Sequence, residues 1–343
     1  MKKIQQVSIH GPDDVRLEAA VMPVPGPRDV VVRAMACGIC GSDVGYARLG
    51  GVIGPTLKPM PIGHEVSGVV ESVGMDVRGI EAGVRVVINP LGAGNQIGNG
   101  GSEGAFTSHV LVRNAASGEC LIPIPDSLSF ESAALAEPLG VGMQAVNRAA
   151  VAPSDRVVVF GAGPIGLAAI ATMKSRGIED VIAVDLSETR LEIARSMGAR
   201  ETLNPSNDSV WRKIRELHGE SPVLGAPMAG TDVYIEATGV SSIIGEVLAS
   251  AKTEARLSIV GLHRGEVPIN FLLVMMKQMT ILGSMAQPKD WNDMIDLLND
   301  SDLSRMITHR FSLDRFSEGL AAAQDPNAGG KVMIDLSELA PES

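Results

Sequence analysis

Four side chains in the first part of the chain are of the types that bind a transition metal. Cys40 lies in the run Cys37-Gly-Ile-Cys40, His64 and Glu65 are adjacent, and Glu137 comes much later. A thiolate, an imidazole and a carboxylate are typical ligands of catalytic zinc sites, which keep one position open for water or substrate. Because these residues are far apart along the chain, only the fold can bring them together.

Residue types alone leave other interpretations open. Cys37 and Cys40 could equally be small core residues at the end of a strand. His64 could be a core histidine held by hydrogen bonds, and the two glutamates could be ordinary surface acids. A redox-active Cys-x-x-Cys pair is a further alternative, although no thioredoxin-like order of strands surrounds it.

A second group of residues is typical of a phosphate-binding loop. Gly161-Ala-Gly163-Pro164-Ile165-Gly166 follows an apolar strand and opens a helix. The first glycine permits a tight turn, the second lets the backbone approach a pyrophosphate, and the third lets helix and strand pack closely. The phosphates would then face the positive N-terminus of the helix.

Asp185 follows in the next strand, 19 residues beyond Gly166. An acid there accepts hydrogen bonds from a ribose 2′-hydroxyl and repels a 2′-phosphate, so the spacing favours NAD over NADP. A helix cap or a solvated turn acid is the alternative interpretation, and Arg190, which is suited to contact an adenine or a phosphate, weakens the preference. Further cofactor contacts are predicted where later strands end, at Thr238, Val260, Gly261 and Leu262.

Composition limits the classes of function. The 343 residues are 45% apolar and carry a net charge of −11, from 29 Lys and Arg against 40 Asp and Glu. The length suits two domains, because single cores rarely grow past about 250–300 residues. The negative charge disfavours polyanionic partners, so we predict no nucleic-acid and no membrane partner.

Cysteine usage and the apolar runs indicate the compartment. Three cysteines are too few for a disulfide framework and favour a reducing environment. The first residues lack the apolar core of a signal peptide, and the longest uncharged apolar run, 157–173, contains the glycines of the phosphate loop. We therefore expect a cytoplasmic protein.

Two patterns of secondary structure must position these residues. Short strands and turns over roughly the first 135 residues predict a barrel-like, mostly antiparallel unit, with a glycine-rich surface loop at 92–104. From about residue 154, strands alternate with helices, which predicts a parallel sheet covered by helices. The final strand, 331–336, is expected to rejoin the first unit. Predicted strands are 30–36, 66–74, 85–88, 156–160, 180–185, 232–236, 256–260 and 279–283, and predicted helices are 164–176, 188–197 and 242–251.

Several motifs in one order resemble the medium-chain, zinc-dependent alcohol dehydrogenase superfamily, nearest its sorbitol (polyol) dehydrogenase branch. These motifs are Cys37 to Asp43, Gly63-His64-Glu65, Glu137-Pro138-Leu139, the Gly161–Gly166 loop, Thr308-His309-Arg310-Phe311 and Gly330-Lys331-Val332-Met333. The resemblance implies an α/β protein with two domains. Residues 1–150 and 288–343 would form a mostly-β, GroES-like catalytic domain, and residues 151–287 a Rossmann NAD-binding domain with a doubly wound parallel sheet.

The resemblance also implies roles for the candidate residues. The zinc ligands would be Cys40, His64 and Glu137, while Glu65 is a ligand in some relatives and a neighbouring acid in others. Asp43 would orient the histidine. Cys37 would be a core residue.

The chain departs from the family pattern in three places. Relatives with a structural zinc carry four clustered cysteines after the position of Asn89-Pro90, and residues 91–104 have none, so we expect one catalytic zinc and no structural zinc. The polyol branch has a histidine where this chain has Gly45, although Tyr46 is retained. Ser284-Met285-Ala286-Gln287 replaces an arginine and a tyrosine near the substrate, which suits a smaller or less polar alcohol or diol.

The implied reaction is reversible hydride transfer between NAD(H) and a secondary alcohol, diol or polyol, which becomes a ketone. Zinc lowers the pKa of the alcohol, and Ser42 passes its proton toward solvent. An alternative role for Ser42 is to cap the helix that begins near Asp43. Two other functions stay open: a metal-free, quinone-reductase-like member of the superfamily, and a non-catalytic nucleotide-binding protein of the same fold.

Assembly is a further implication of the resemblance. Relatives are homodimers or homotetramers that pair through edge strands of the nucleotide domain. The apolar stretch 272–282 suits such a contact, and it equally suits burial in a core.

Overall fold

The computed structural model describes residues 2–116, 119–325, 327 and 329–339. Its strands are β1 (Lys3–Gly11), β2 (Asp14–Val21), β3 (Val30–Ile39), β4 (Met60–Pro61), β5 (Glu65–Val73), β6 (Arg85–Ile88), β7 (His109–Val112), β8 (Leu121–Pro123), β9 (Val157–Phe160), β10 (Val181–Val184), β11 (Glu201–Leu203), β12 (Glu220–Val223), β13 (Ala226–Ala229), β14 (Val233–Glu236), β15 (Arg256–Ile259), β16 (Thr280–Gly283), β17 (Ile307–Ser312) and β18 (Lys331–Asp335). Its α-helices are α1 (Gly41–Leu49), α2 (Phe130–Ala134), α3 (Ala136–Arg148), α4 (Pro164–Ser175), α5 (Glu188–Met197), α6 (Val210–His218), α7 (Ser241–Ser250), α8 (Phe271–Met276), α9 (Asn292–Asp300) and α10 (Phe316–Gln324).

The chain forms two compact units. The first comprises residues 1–137 and 290–343, and the second comprises residues 138–289. The boundaries predicted from the sequence fall after residues 150 and 287. The first boundary lies earlier because most of α3 packs in the second unit, where Ser258 donates a hydrogen bond to the carbonyl of Ala145 and Arg256 donates to that of Ala149.

The first unit is built on two sheets. A seven-stranded sheet has the order β17-β18-β3-β5-β6-β8, with β7 also paired to β3, and β1 joins β2 and β4 in a smaller sheet. The pairs formed by β3, β5, β6 and β8 are antiparallel, as predicted. Strand β18 pairs antiparallel with β3, so the final strand rejoins the first unit as predicted.

The second unit is a six-stranded sheet in the order β11-β10-β9-β14-β15-β16. Every neighbouring pair in it is parallel, which confirms the prediction from alternating strands and helices. The four residues of β9 and of β10 are all buried, which is typical of strands covered on both faces. The strand order reverses between β9 and β14, and ligands of such sheets bind at that point, beyond the carboxyl ends of the strands.

Some elements were not predicted. Strands β1 and β2 form an antiparallel hairpin whose second strand is largely exposed, and β12 and β13 form a second hairpin outside the main sheets. Segment 92–104 is largely a loop at the surface, as predicted, but Ile97 within it is fully buried. Among the described residues, none of the helices combines the length and the apolar character needed to cross a membrane.

Candidate functional site

Three of the four predicted metal ligands lie together in the first unit. Cys40, His64 and Glu65 each offer a ligand atom, and these atoms lie within 4.8 Å of one another. The three residues come from the turn after β3, the segment before β5 and the first position of β5. Because β3 and β5 are paired, with Gly38 opposite Glu65, the sheet register itself brings these residues together.

The first turn of α1 fixes the position of Cys40. Cys40 is the N-cap residue of this helix, and its backbone N–H donates to Oδ2 of Asp43 at 2.9 Å. The N-cap is therefore Cys40 and not Ser42, so the alternative role of Ser42 as the helix cap is wrong. Ser42 instead lies in the first turn, with its Oγ 3.5 Å from Nε2 of His64.

Asp43 also holds the segment that carries His64. Its carboxylate is fully buried, and Oδ1 accepts a hydrogen bond from the N–H of Gly63 and lies 3.5 Å from Nδ1 of His64. Burial disfavours the charged imidazole, but the carboxylate of Asp43 and the thiol of Cys40 outweigh it and raise the pKa of His64 well above its ordinary value. Asp43 thus lies beside the ring, while Nδ1 of His64 has no hydrogen-bond partner among the described residues, so a role of Asp43 in orienting the ring stays a prediction.

Glu65 forms a buried ion pair that the sequence analysis missed. Its Oε1 accepts a hydrogen bond from Nζ of Lys331 at 2.6 Å, and the ammonium also donates to the carbonyl of Ile39. Both side chains of the pair are buried. The other carboxylate oxygen, Oε2, is buried and has no hydrogen-bond partner among the described residues. Gly38 makes room for this carboxylate, since a Cβ there would lie 2.1 Å from Oε2.

Glu137 is outside the three-residue cluster but within its electrostatic field. Loss of water around its carboxyl raises the pKa of Glu137 to about 7; the positive charges of His64 and Lys331 oppose this rise, and the negative charge of Glu65 adds to it. A bound cation would stabilise the ionised form of this carboxyl strongly, because little water is available to compensate its negative charge.

The glycine-rich segment 92–104 supports the residue before His64. A Cβ on Gly98 would lie 2.1 Å from the carbonyl oxygen of Gly63, so the two backbones are in close contact. From the same segment, Asn99 accepts a hydrogen bond from the hydroxyl of Tyr46 at 3.2 Å. No pattern in the sequence signalled this contact.

The donor set fits a zinc ion. Thiolate, imidazole and carboxylate are ligands that zinc takes, and the unpartnered Oε2 of Glu65 is a buried acceptor of the kind that a cation would satisfy. The other cysteine of the Cys-x-x-Cys run, Cys37, is fully buried in the hydrophobic core of the first unit, as expected.

In the second unit, the phosphate loop has the geometry that its glycines predict. Gly161 has φ +94°, a conformation that favours glycine. A Cβ on Gly166 would lie 1.8 Å from the carbonyl oxygen of Gly161, so the helix can approach the strand only through glycine. Gly163 is the N-cap of α4, Pro164 and Ile165 open the helix, and the space beside Gly163 is open apart from Arg190, whose Nη1 would lie 4.0 Å from a Cβ.

Asp185 binds the phosphate loop directly. Its Oδ2 accepts a hydrogen bond from the N–H of Ala162 at 2.7 Å, and its Oδ1 accepts one from Ser187 at 2.8 Å. The N-cap of α5 is Ser187, so Asp185 is not a helix cap. The open backbone at Gly163 and the acid that follows β10 together fit a dinucleotide.

The other predicted cofactor residues follow the neighbouring strands. Thr238 comes after β14 and contributes a methyl group 2.9 Å from the Cβ position of Gly161. Val260 and Gly261 follow β15 and both donate to the backbone carbonyl of Glu236. Leu262 is exposed. These residues lie at the carboxyl edge of the sheet, next to the point where the strand order reverses.

Comparison with known proteins gives concordant matches. The model of the alcohol dehydrogenase GroES-like domain matches residues 26–126, and that of the zinc-binding dehydrogenases matches residues 164–300. Sorbitol dehydrogenase from Ovis aries is 33% identical to the chain, over 95% of this chain and 94% of its own length.

Solved structures have the same fold. The structure of 2R,3R-butanediol dehydrogenase from Bacillus subtilis has a TM-score of 0.86 and 29% sequence identity, and covers 97% of this chain and 99% of its own. A zinc-binding dehydrogenase from Sinorhizobium meliloti, bound to NADP, has a TM-score of 0.84 and 27% identity, and covers 98% of this chain and 100% of its own.

The ion pair predicts a large loss of stability when one partner is removed. Lys331→Met leaves the Glu65 charge buried without its partner, and we expect the free energy of unfolding to fall by about 3–5 kcal/mol. The double variant Lys331→Met with Glu65→Gln should recover much of this loss. Urea denaturation of zinc-free protein measures each value.

A matched control is Lys213→Met, which removes a lysine from an exposed ion pair with Glu216. Its expected cost is below about 1 kcal/mol. Equal losses from the two lysine substitutions would contradict a dominant role for the buried pair.

The raised pKa of Glu137 predicts a pH dependence in the metal-free protein. Its pKa rises on folding from 4.5 to about 7, so the folded state holds this proton more tightly than the unfolded chain does. Stability from this group is therefore present at low pH and is lost as pH rises through this interval. Glu137→Gln cannot ionise, and its melting temperature should fall less between about pH 5 and about pH 8.

Calorimetry on zinc-free wild type and variant checks this expectation. The control is Glu192→Gln, which removes an exposed carboxylate from α5. Glu192→Gln should keep the pH profile of the wild type. If Glu137→Gln kept that profile as well, the assignment of the titration to Glu137 would be wrong.

Proposed function

Because this chain belongs to the medium-chain, zinc-dependent alcohol dehydrogenase superfamily, we propose that it oxidises a secondary alcohol, diol or polyol reversibly to the ketone, with NAD as the acceptor and one zinc ion. The observation that carries this proposal is the convergence of Cys40, His64 and Glu65. In this proposal the first unit is the catalytic domain and the second unit is the NAD-binding domain. The matched family and relatives make the chain an oxidoreductase acting on alcohols.

The zinc would be held by Cys40, His64 and Glu137. When bound, it supplies positive charge that lowers the pKa of an alcohol. Glu65 is close enough to serve as a further ligand, and its unpartnered Oε2 supports that role. Lys331 keeps the Glu65 carboxylate oriented, and Asp43 does the same for the His64 ring.

Ser42 is the residue we propose to move the substrate proton. Its hydroxyl lies 3.5 Å from Nε2 of His64. With Gly45 in place of a histidine, the next polar groups in this direction are the Tyr46 hydroxyl and Asn99. A hydroxyl that both accepts and donates is suited to pass a proton along such a chain.

The residues around the phosphate loop support NAD rather than NADP. Asp185 places a carboxylate beside the loop, where it would accept hydrogen bonds from ribose hydroxyls and repel a 2′-phosphate. Arg190 also lies near the loop, and the Sinorhizobium meliloti relative is bound to NADP. We propose NAD because the carboxylate already binds the loop backbone, so its position is fixed.

A single zinc per chain is also part of the proposal. Residues 91–104 contain no cysteine, and the third cysteine of the chain, Cys120, is buried away from the metal cluster in the core of the first unit. The segment is held instead by backbone contacts with Gly63. We propose that these contacts hold the segment without a structural zinc.

For the substrate we propose a small secondary alcohol or vicinal diol rather than a long polyol. Sorbitol and 2R,3R-butanediol name the substrates of two relatives. This chain has Ser284-Met285-Ala286-Gln287 where the polyol branch carries an arginine and a tyrosine, so it offers fewer charged groups to a many-hydroxyl chain.

We also propose that the protein is a cytoplasmic homodimer or homotetramer. Strand β16 is an edge of its sheet, and exposed apolar side chains precede it in α8. Phe271 is 71% exposed and Met275 is 65% exposed. Neighbouring exposed apolar side chains of this kind are typical of a protein–protein contact. The three cysteines are all free, as in a reducing compartment.

The first test follows NADH absorbance with purified protein, NAD and a panel of polyols, vicinal diols and simple secondary alcohols. Each assay is run before and after removal of metal and after return of zinc. We expect turnover that is lost with the metal and restored by zinc. Turnover that is indifferent to metal removal would favour the quinone-reductase-like alternative.

The second test changes a single ligand. Cys40→Ser should lower turnover by more than about 100-fold and reduce bound zinc, while NADH binding in the second unit stays unchanged. Cys120→Ser is the matched control, because it removes a buried thiol outside the cluster. Normal turnover by the Cys40 variant would contradict the zinc mechanism.

A further inference from the structure

A buried carboxylate at the end of β14 has no role in the features described so far. Glu236 is the last residue of this strand and is fully buried. A buried carboxylate is costly unless hydrogen bonds compensate its charge, so its partners show what the fold uses it for.

All four hydrogen bonds of this carboxylate go to the loops that follow β14 and β15. Oε1 accepts from the N–H of Thr238 at 2.7 Å, from the N–H of Gly239 at 2.9 Å and from the Thr238 hydroxyl. Oε2 accepts from Nε2 of His263 at 2.8 Å. Glu236 therefore joins the loop of Thr238 and Gly239 to the loop that ends at His263.

Close backbone contacts show how tightly the two loops are joined. A Cβ on Gly261 would lie 2.3 Å from the backbone nitrogen of Gly239 and 2.5 Å from Oε2 of Glu236. A Cβ on Gly239 would lie 2.7 Å from the carbonyl oxygen of Leu262. The loops pack against each other through two glycines, with the carboxylate beneath them.

The ring of His263 depends on this carboxylate for its orientation. Its Nε2 donates to Glu236, while Nδ1 is buried and has no hydrogen-bond partner among the described residues. The bond to Glu236 is thus the polar contact that fixes the ring, and through the ring the second loop.

Both loops lie at the carboxyl edge of the sheet, beside the point where the strand order reverses. The phosphate loop follows β9, and Asp185, on its far side, follows β10. A bound dinucleotide would therefore place its diphosphate and adenosine over β9 and β10 and its nicotinamide end over β14 and β15.

We propose that His263, held by Glu236, is a positioning residue for the nicotinamide end of the dinucleotide. The inference rests on the proposed function, since it requires that the chain binds NAD(H). The bond between His263 and Glu236 keeps the 238–240 and 260–263 loops in the shape that receives the nicotinamide ring. It does not act on the adenosine half of the cofactor.

Substitutions at His263 separate the bond from the bulk of the ring. His263→Asn removes the donor to Glu236, because its amide is too short to reach the position of Nε2. His263→Gln retains an N–H donor near that position. The full chain with zinc is titrated with NADH and with ADP-ribose, which lacks the nicotinamide, and dissociation constants are measured by calorimetry.

We expect His263→Asn to raise the dissociation constant of NADH by about tenfold, because a hydrogen bond to a charged group is lost. His263→Gln should lie within about threefold of the wild type, because its amide replaces the donor. ADP-ribose should bind all of these proteins equally. His218→Asn is the control: His218 is a buried histidine of the same unit, bonded to Thr231, and its loss should change neither constant.

Gly261→Ala provides a second route, since its added methyl group would press on both the backbone nitrogen of Gly239 and Oε2 of Glu236 and so separate the loops. It should weaken NADH and spare ADP-ribose. Unchanged NADH binding by both His263→Asn and Gly261→Ala would overturn the inference, and so would equal weakening of NADH and ADP-ribose, or a failure of His263→Gln to rescue. A wild type that binds neither ligand would overturn the proposed function and this inference with it.

Discussion

The buried ion pair between Lys331 and Glu65 is the interaction on which the first unit depends. Lys331 begins the last strand of the chain, and Glu65 begins β5, so the pair joins the C-terminal segment to the metal cluster. Removing two charges from water costs free energy, and a buried ion pair offsets this cost only when the two groups meet in good geometry. The C-terminal strand is therefore a condition for a correctly held Glu65, and not only an extra edge of the sheet.

The carboxylate of Asp43 also holds residues of the metal cluster in place. Asp43 binds the backbone of Cys40 and of Gly63 and faces His64, so one carboxylate sets the position of two candidate ligands. Metal sites commonly need such outer partners to orient their ligands. The result is a cluster of charged and mostly buried side chains, and electrostatic interactions are stronger in such a low-dielectric environment than in water.

The second unit uses carboxylates in a different way. Asp185 follows the buried strand β10 and Glu236 ends the buried strand β14, and each carboxylate accepts hydrogen bonds from two backbone N–H groups. Backbone donors fix the loops at the carboxyl edge of the sheet without a second charged side chain. Asp185 shapes the adenosine side of the candidate cofactor site, and Glu236 shapes the side toward β15.

The sequence by itself determined much of the architecture. The predicted strands coincide closely with β3, β5, β9, β10, β14 and β15. The signal is plainest in β9 and β10, because a strand buried on both faces is apolar at every position. The glycines of the 161–166 loop and the ligand types at Cys40, His64 and Glu137 likewise depend on local chemistry, which a sequence displays directly.

Only the tertiary structure decided which groups meet. Lys331 lies in a motif that the sequence analysis quoted for its resemblance, but nothing near it in sequence shows that its ammonium reaches Glu65. The same holds for Gly38, for the contact of Gly98 with Gly63, and for the bond between Glu236 and His263. These contacts arise from strand register and from close backbone approach between distant segments. A linear sequence shows the chemical type of each residue. Which partner a buried charge meets depends on the fold, because the fold removes both groups from water and brings them together.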